Sequence, residues 1–342
     1  MAKVKINRPF SLLDTRVGVG ERSTVQLEVA KLYTHTPMTI PIEVVNGTEA
    51  GPVLLVCAAI HGDELNGVEV VRQLLNKIDA SNLRGTLIAV PIVNIFGFIH
   101  KSRYLPDRRD LNRCFPGSER GSLGGRMAHM FFDQVVKQST HIIDLHTGAI
   151  HRSNLPQIRG DLSSETTKEM AMAFGTPVAL DARLRNGSLR SEAAGLGIPV
   201  ITYEAGEALR FDALAIHAGL KGVENVMRQL RMLRGKRRKQ LHEAVVAAAT
   251  SWVRADVDGI VRAQVNLGER VSKGQVLAYI DSPLGQSVEE IVAPRSGIVI
   301  GQQMLPLVNE GDAVFHLAYF AHANSIVEQQ LETFIDDIGP IS

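Results

Sequence analysis

The sequence predicts an α/β protein: a sheet held between helix layers, followed by a smaller unit built only of strands. Three observations lead there. Continuous apolar runs such as Pro52–Ile60 and Thr86–Val93 alternate with stretches of helical periodicity, as expected of strands covered on both faces. After Trp252 that periodicity stops, and Val, Ile and Gly with closely spaced turns take over. The length, 342 residues, suggests about two domains and a core that buries roughly three quarters of the unfolded surface.

Each element can be justified in turn. Thr24–Tyr33 and Met38–Val45 alternate partly and are joined by a Thr34–Pro37 turn, which reads as antiparallel β; Asn46–Gly51 is a second turn. Pro52–Ile60 is a buried strand, and Val68, Val71, Leu74, Leu75 and Ile78 place a helix over Gly67–Ile78. Strands follow at Thr86–Val93, Thr140–Leu145, Pro177–Leu180 and Pro199–Tyr203. Helices follow at Met127–Val136, Ser164–Phe174 and within the amphipathic stretch Asp212–Leu233. Arg228–Lys239 carries seven basic residues and reads as the solvated end of a helix running into a linker, where cations suit the carbonyl pole.

The tail from Trp252 to about Phe320 repeats itself. Asp258-Gly-Ile-Val261 returns as Ser296-Gly-Ile-Val299, and Gly268–Leu277 has a weaker echo in Asn309–Val314. Two similar halves imply a small pseudo-symmetric barrel. The segment resembles the biotinyl/lipoyl-type barrel-sandwich hybrid, but its hairpin, Asp281–Ser287, has no lysine to carry a swinging arm. Packing, gating or oligomerisation is the expected role. The expected organisation is an N-terminal β-rich segment over 1–50 packed on a catalytic domain over 51–240, a β-rich domain over 250–322, and a helical tail over 323–342.

Composition excludes some classes. With 37 basic and 36 acidic residues the net charge is +1, which argues against a chain broadly committed to nucleic acid or an anionic membrane. Two cysteines, Cys57 and Cys114, cannot make a disulfide framework, so a reducing compartment is expected. Met1–Leu13 lacks a secretory apolar core, and no stretch reaches the roughly 18 apolar residues of a membrane helix. A cytoplasmic homo-oligomer is the expectation, without nucleic-acid or membrane partners.

The chemistry concentrates at strand ends. Pro52–Ile60 runs into His61-Gly-Asp-Glu64, where an imidazole and a carboxylate three residues apart can reach one ion. Thr140–Leu145 runs into Asp144-Leu-His146-Thr-Gly148. Ligands collect beyond the carboxyl ends of such strands. Two His and one Glu, with a fourth position left to water, form the ligand set of a catalytic zinc site. Asp63 or Asp144 could hold an imidazole N–H. His100, His129, His141, His217 and His242 read as structural.

These motifs, with Asp110-Leu-Asn-Arg113-Cys-Phe-Pro-Gly117 and Tyr203-Glu204-Ala-Gly206, occur in an order and at separations that resemble the succinylglutamate desuccinylase/aspartoacylase family over roughly residues 40 to 320. The resemblance implies a three-layer, zinc-carboxypeptidase-like fold with an eight-stranded mixed sheet and one Zn²⁺ per chain on His61, Glu64 and His146. It implies hydrolysis of a small N-acylated amino acid or related carboxylated amide by metal-activated water. Glu204 matches the general base, with Glu207 as fallback. Arg103 resembles the arginine that polarises the scissile carbonyl, a role open to Arg108 or Arg109 if the loop differs. Asn112 and Arg113 match the pair that grips the substrate carboxylate, and Arg190 or Arg159 could bind an acidic part of it. Cys114 reads as packing. Two alternatives remain at this stage: a metallocarboxypeptidase acting on peptides, and a non-catalytic adaptor on a hydrolase scaffold. The tail departs from the aspartoacylase type, so no particular acyl group carries over.

Overall fold

The computed structural model describes residues 5–235, 244–285, 288–321 and 332–334. A mixed sheet dominates it. Eight of its strands, in spatial order, are Glu21–Lys31, Pro37–Asn46, Arg84–Val90, Glu49–Ala58, His141–His146, Val200–Gly206, Arg152–Gly160 and Val178–Asp181. The four from Arg84–Val90 to Val200–Gly206 are mutually parallel, and antiparallel strands flank them.

Both faces of the parallel centre are covered, which is why its strands read as unbroken apolar runs. Leu54, Val56, Ile143, Ile201 and Tyr203 pack on one side beneath the helices Asn66–Lys77, Glu165–Phe174 and Ala213–Gln229. Leu55, Cys57, Ile88, Ile142 and Val200 pack on the other against Met127, Phe131 and Phe132 of the helix Leu123–Gln134. Consecutive residues on a strand alternate faces, so Leu54 and Leu55 belong to different cores. The helix starts follow local chemistry: the side chains of Ser122, Ser164 and Asp212 each accept a bond from a backbone N–H three residues on.

Several elements differ from the sequence reading. The strand expected from Pro52 begins at Glu49, and its register slips between Glu49 and Val53, where Pro52 has no N–H to give. The helix expected from Met127 begins at Leu123, because the Ser122 cap outweighs the poor propensity of Gly124 and Gly125. The strand Arg152–Gly160 has no counterpart in the sequence reading. Pro156 in its middle signals a break, and the structure accommodates it where the register against Val200–Gly206 shifts, between Glu204 and Gly206.

The tail forms the expected all-β arrangement and joins the main sheet. The repeated Gly-Ile-Val segments start the strands Gly259–Ala263 and Gly297–Gln303. Each pairs with the long strand of its own half, Val276–Asp281 or Ala313–Tyr319, and with the short strand of the other half, Leu307–Val308 or Arg270–Val271. That exchange is the pseudo-symmetry the repeat implies. Val271, Leu277, Val299, Phe315 and Leu317 fill the space between the halves. Gly297–Gln303 also pairs through Gly301–Gln303 with Arg152–Asn154, so the two sheets are continuous. The tip of the Asp281–Ser287 hairpin, residues 236–243 of the basic linker and most of the expected helix Ala323–Ile335 lie outside the described residues. The helical turn 332–334 buries Phe334 in the first core. Among the described residues no helix is long and apolar enough to cross a membrane.

Candidate metal centre and active site

The chain leaves the strand Glu49–Ala58 through Ala59, whose φ of +51° turns it away from the sheet. Gly62 then passes against the backbone of Gly97 and Phe98; a Cβ there would lie 1.9 Å from the Gly97 carbonyl carbon. The turn closes with the Glu64 N–H on the His61 carbonyl at 3.1 Å, just before the helix Asn66–Lys77. His61 and Glu64 therefore emerge side by side. His146 ends the neighbouring strand, His141–His146, and stands in register with Glu204 on the next.

Three side chains converge here. His61, Glu64 and His146 are 4%, 2% and 5% exposed, and their ligand atoms lie within 4.8 Å of one another. Glu64 meets His61 Nδ1 through Oε1 and His146 Nδ1 through Oε2, both at 2.7 Å. The two Nδ1 atoms are 3.2 Å apart. Each imidazole is held from behind by an aspartate: His146 Nε2 lies 2.8 Å from Asp144 Oδ2, and His61 Nε2 lies 3.2 Å from Asp110 Oδ1. Burial opposes charging His61, yet the Glu64 carboxylate and bonds to Asp110 and Glu64 keep its pKa above the ordinary value. Burial likewise opposes protonation of His146, and Asp144 and Glu64 more than offset it. Burial would raise the Glu64 pKa, but the two imidazoles hold it far below the usual carboxylate range.

Protons alone serve this arrangement poorly. A hydrogen on both Nδ1 atoms would set two N–H groups against each other at 3.2 Å. A hydrogen on His61 Nδ1 would also face the Arg103 guanidinium nitrogen 3.2 Å away, which can only donate. With Nε2–H given to the aspartates, both Nδ1 lone pairs and the Glu64 oxygens point at one spot. Two imidazoles and a carboxylate suit Zn²⁺, and also Co²⁺ or Mn²⁺.

The other proposed residues line a cleft of about 170 Å³ beside this cluster, among them Arg103, Asn112, Arg113, Arg159, Arg190 and Glu204. Arg103 bridges Glu64 Oε1 at 3.3 Å and Asp110 Oδ2 at 3.0 Å. Glu204 pairs with Arg159 at 3.0 Å and accepts a bond from Asn154 at 3.2 Å. Asn112 accepts a bond through Oδ1 from the Leu189 N–H at 3.0 Å, leaving its amide N–H₂ as a donor. The guanidinium of exposed Arg113 donates only to the Asn112 carbonyl, at 2.6 Å, in the described bonds. Glu207 is instead engaged by the His151 N–H and by Arg210, both at 3.2 Å. Arg109 faces Asp107 at 3.7 Å, and neither it nor Arg108 lines the cleft. Cys114 Sγ bonds the Asp110 carbonyl at 3.3 Å, and its thiol pKa is raised by burial and Asp107.

Some residues at the site had no role in the sequence reading. Asp110 stood in a quoted motif without a role, although it touches His61, Arg103 and the Asn112 N–H, the last at 2.8 Å. Arg185, Ser188 and Thr202 line the cleft itself. Only the last could have been found, two places before Glu204 on the same strand and so on the same face.

Comparison with known proteins shows the family of the chain. The profile of the "Succinylglutamate desuccinylase/Aspartoacylase catalytic domain" matches residues 50–230. The chain belongs to the succinylglutamate desuccinylase/aspartoacylase family. The match contains every residue of the cluster and cleft. Within the family, the N-alpha-acetyl-L-2,4-diaminobutyric acid deacetylase of Halomonas elongata is 28% identical over 295 residues, 82% of this chain and 85% of that protein. The product-bound structure of the ectoine utilization protein EutE (DoeB) from Ruegeria pomeroyi superposes with a TM-score of 0.80 at 26% identity, covering 91% of this chain and 99% of that one. A succinylglutamate desuccinylase from Silicibacter sp. TM1040 gives 0.80 at 26%, covering 93% and 99%. These family members are named for removal of an acyl group or for the utilisation of ectoine, and the family is one of deacylating hydrolases.

Proposed function

We propose that this chain is a zinc-dependent deacylase that hydrolyses the amide of an N-acyl amino acid or related small carboxylated amide. One observation carries the reading: two imidazoles, each backed by an aspartate, share the two oxygens of one buried carboxylate at the floor of a cleft that contains Glu204 and Arg103. His61, Glu64 and His146 would hold one ion, which when bound supplies Lewis acidity toward water and toward an amide carbonyl. Glu204 takes the proton of the attacking water on its carboxylate and returns it to the leaving amine nitrogen. Arg103 donates toward the oxygen that gains charge as the carbonyl carbon becomes tetrahedral. Asn112 and Arg113 grip the substrate carboxylate, the guanidinium through two parallel N–H bonds. A cleft of about 170 Å³ suits small amides better than a peptide. In this reading the hydrolase unit takes in the sheet strands Glu21–Lys31 and Pro37–Asn46 as well as the described residues from 51 to 235, and Gly301–Gln303 of the tail pair with its edge.

The test joins metal analysis to turnover. Wild type is expected to carry about one zinc per chain, with most of it lost in His146→Ala. Glu204→Gln should keep the metal and lose about 10²- to 10⁴-fold in kcat. Arg113→Ala should raise KM for carboxylated amides far more than for amides lacking that group. A wild type that takes up no zinc, or a Glu204→Gln protein with unchanged turnover, would overturn the proposal.

A further inference from the structure

The tail reaches the cleft through one residue. Asn154, buried in the strand Arg152–Gly160, donates through Nδ2 to Glu204 Oε2 at 3.2 Å. Arg159 lies 3.0 Å from the same oxygen, yet its Nε is not aligned for a hydrogen bond. Among the described bonds Asn154 therefore supplies the one aligned donor on Glu204, and Oε1 accepts none.

A carboxylate only accepts, so the Asn154 amide has to turn its N–H₂ toward Glu204. That fixes its other end. Asn154 Oδ1 faces Gly301, which stands opposite Asn154 in the tail strand Gly297–Gln303. A Cβ on residue 301 would lie 3.0 Å from Asn154 Oδ1, 3.1 Å from His316 Cβ and 3.6 Å from the Trp252 ring. The rings of His316 and Trp252 are stacked on each other, and His316 Cβ moves only with the backbone of its strand, Ala313–Tyr319. Of these neighbours the Asn154 amide is the one that a small side-chain rotation displaces. Glycine at 301 leaves the amide the room to hold the rotation that serves Glu204.

Holding one carboxylate oxygen settles the part of the other. A free glutamate side chain spreads over many rotamers, whereas a general base works only within hydrogen-bond reach of the proton it takes. A neutral amide donor anchors Oε2 without cancelling the charge of the carboxylate, and the lone pairs of Oε1 stay open.

We infer that Asn154 is a positioning residue for Glu204 and that the tail sets its position through Gly301. Oε2 is the anchored oxygen, and Oε1 takes the proton from water and returns it to the leaving amine. The tail thereby supports the chemistry from a residue that has no side chain of its own. The kinetic half of this inference rests on the deacylase reading; the mechanical link from Gly301 to Glu204 does not.

Asn154→Asp keeps the shape of the side chain and removes the donor. Zinc-loaded protein would be assayed on N-acetylglutamine and N-acetylglutamate, and the faster of the two used for comparison. In Asn154→Asp kcat should fall about 10- to 100-fold, with KM and zinc content unchanged. Gly301→Ala should lower kcat by about 3- to 10-fold, again with KM and zinc content unchanged, because only the rotation of the amide is disturbed. The side-chain N–H₂ signal of Asn154 in protein labelled with nitrogen-15 at asparagine, assigned by its loss in Asn154→Asp, gives a readout without turnover. It should move in both Gly301→Ala and Glu204→Gln. A wild type that hydrolyses neither amide, with the signal still moving in both variants, would remove the deacylase reading and keep the link from Gly301 to Glu204. Unchanged kcat in Asn154→Asp, a loss expressed through KM alone, or an Asn154 signal indifferent to Gly301→Ala would overturn the inference.

Discussion

Asp144 and Asp110 do the same work for two different imidazoles, and only one of them announces itself in the chain. Asp144 lies two residues before His146 on the same strand, so both side chains share a face and the 2.8 Å contact follows. Asp110 reaches His61 across 49 positions, and no local pattern encodes that meeting. Strand ends explain why His61, Glu64, His146 and Glu204 could be read from sequence while the Asp110 contacts, Arg185 and Ser188 could not. Backing carboxylates of this kind fix ring orientation and would raise the basicity of each imidazole toward a metal ion. Asp144→Asn keeps an acceptor for His146 Nε2–H but removes the charge, so zinc affinity measured by chelator competition should fall by about 10-fold, and Asp144→Ala by up to about 100-fold. Unchanged affinity in both would show that Asp144 is not part of the metal's support.

Elements place these residues, and two elements make sharp predictions. The turn carrying His61 depends on Gly62, whose missing Cβ lets the loop touch Gly97 and Phe98 backbone that cannot retreat. Gly62→Ala should cost about 3 kcal/mol or more of stability in urea unfolding, and a loss below about 1 kcal/mol would show that the turn can shift. The second case is the seam between the strand Arg152–Gly160 and the tail. His316 is 3% exposed, stacks on Trp252 with ring centroids 4.4 Å apart and planes 9° from parallel, and has no partner for Nδ1. Trp252 also bears the Arg152 guanidinium, 4.4 Å from its ring. Burial, with help from the Arg159 and Arg152 charges, pushes the His316 pKa down to about 3. An imidazole that stays neutral when folded but charges near pH 6.5 when unfolded favours unfolding as acid is added. Stability is therefore lost progressively from about pH 6.5 down toward pH 3. His316→Phe keeps the stack and removes the titration, so its Tm should fall less steeply than wild type between pH 7 and 4; identical slopes would locate the acid sensitivity elsewhere. The strand at this seam was the element least legible in the sequence, because Pro156 reads as a break unless the sheet is already known to be irregular there.

At the scale of the molecule, the candidate metal centre ties the turn after Glu49–Ala58 to the end of His141–His146. It links chain segments far apart in sequence across neighbouring strands. Both imidazoles bind protons more readily than usual in the metal-free protein, so a metal ion must displace those protons. Zinc should raise the Tm of metal-stripped protein, by an amount equivalent to about 3–4 kcal/mol at 100 to 1,000 times Kd. The increment should grow from pH 6 to pH 8. No change on zinc addition, or an increment that shrinks with rising pH, would argue against ligation by these histidines. The broad architecture was legible because apolar runs and helical periods report burial directly. The continuity of the tail with the main sheet was not, since it rests on the three residue pairs from Gly301–Asn154 to Gln303–Arg152.

That short pairing has a bearing on how the chain is made. Arg152–Asn154 leaves the ribosome long before its partners Gly301–Gln303 exist, so the nascent sheet carries an open stretch of edge until those residues emerge. An unpaired edge invites pairing with another copy. Chains arrested before residue 297 are the ones that should depend on chaperones and collect in aggregates, while chains that extend past residue 303 close this edge themselves and escape them.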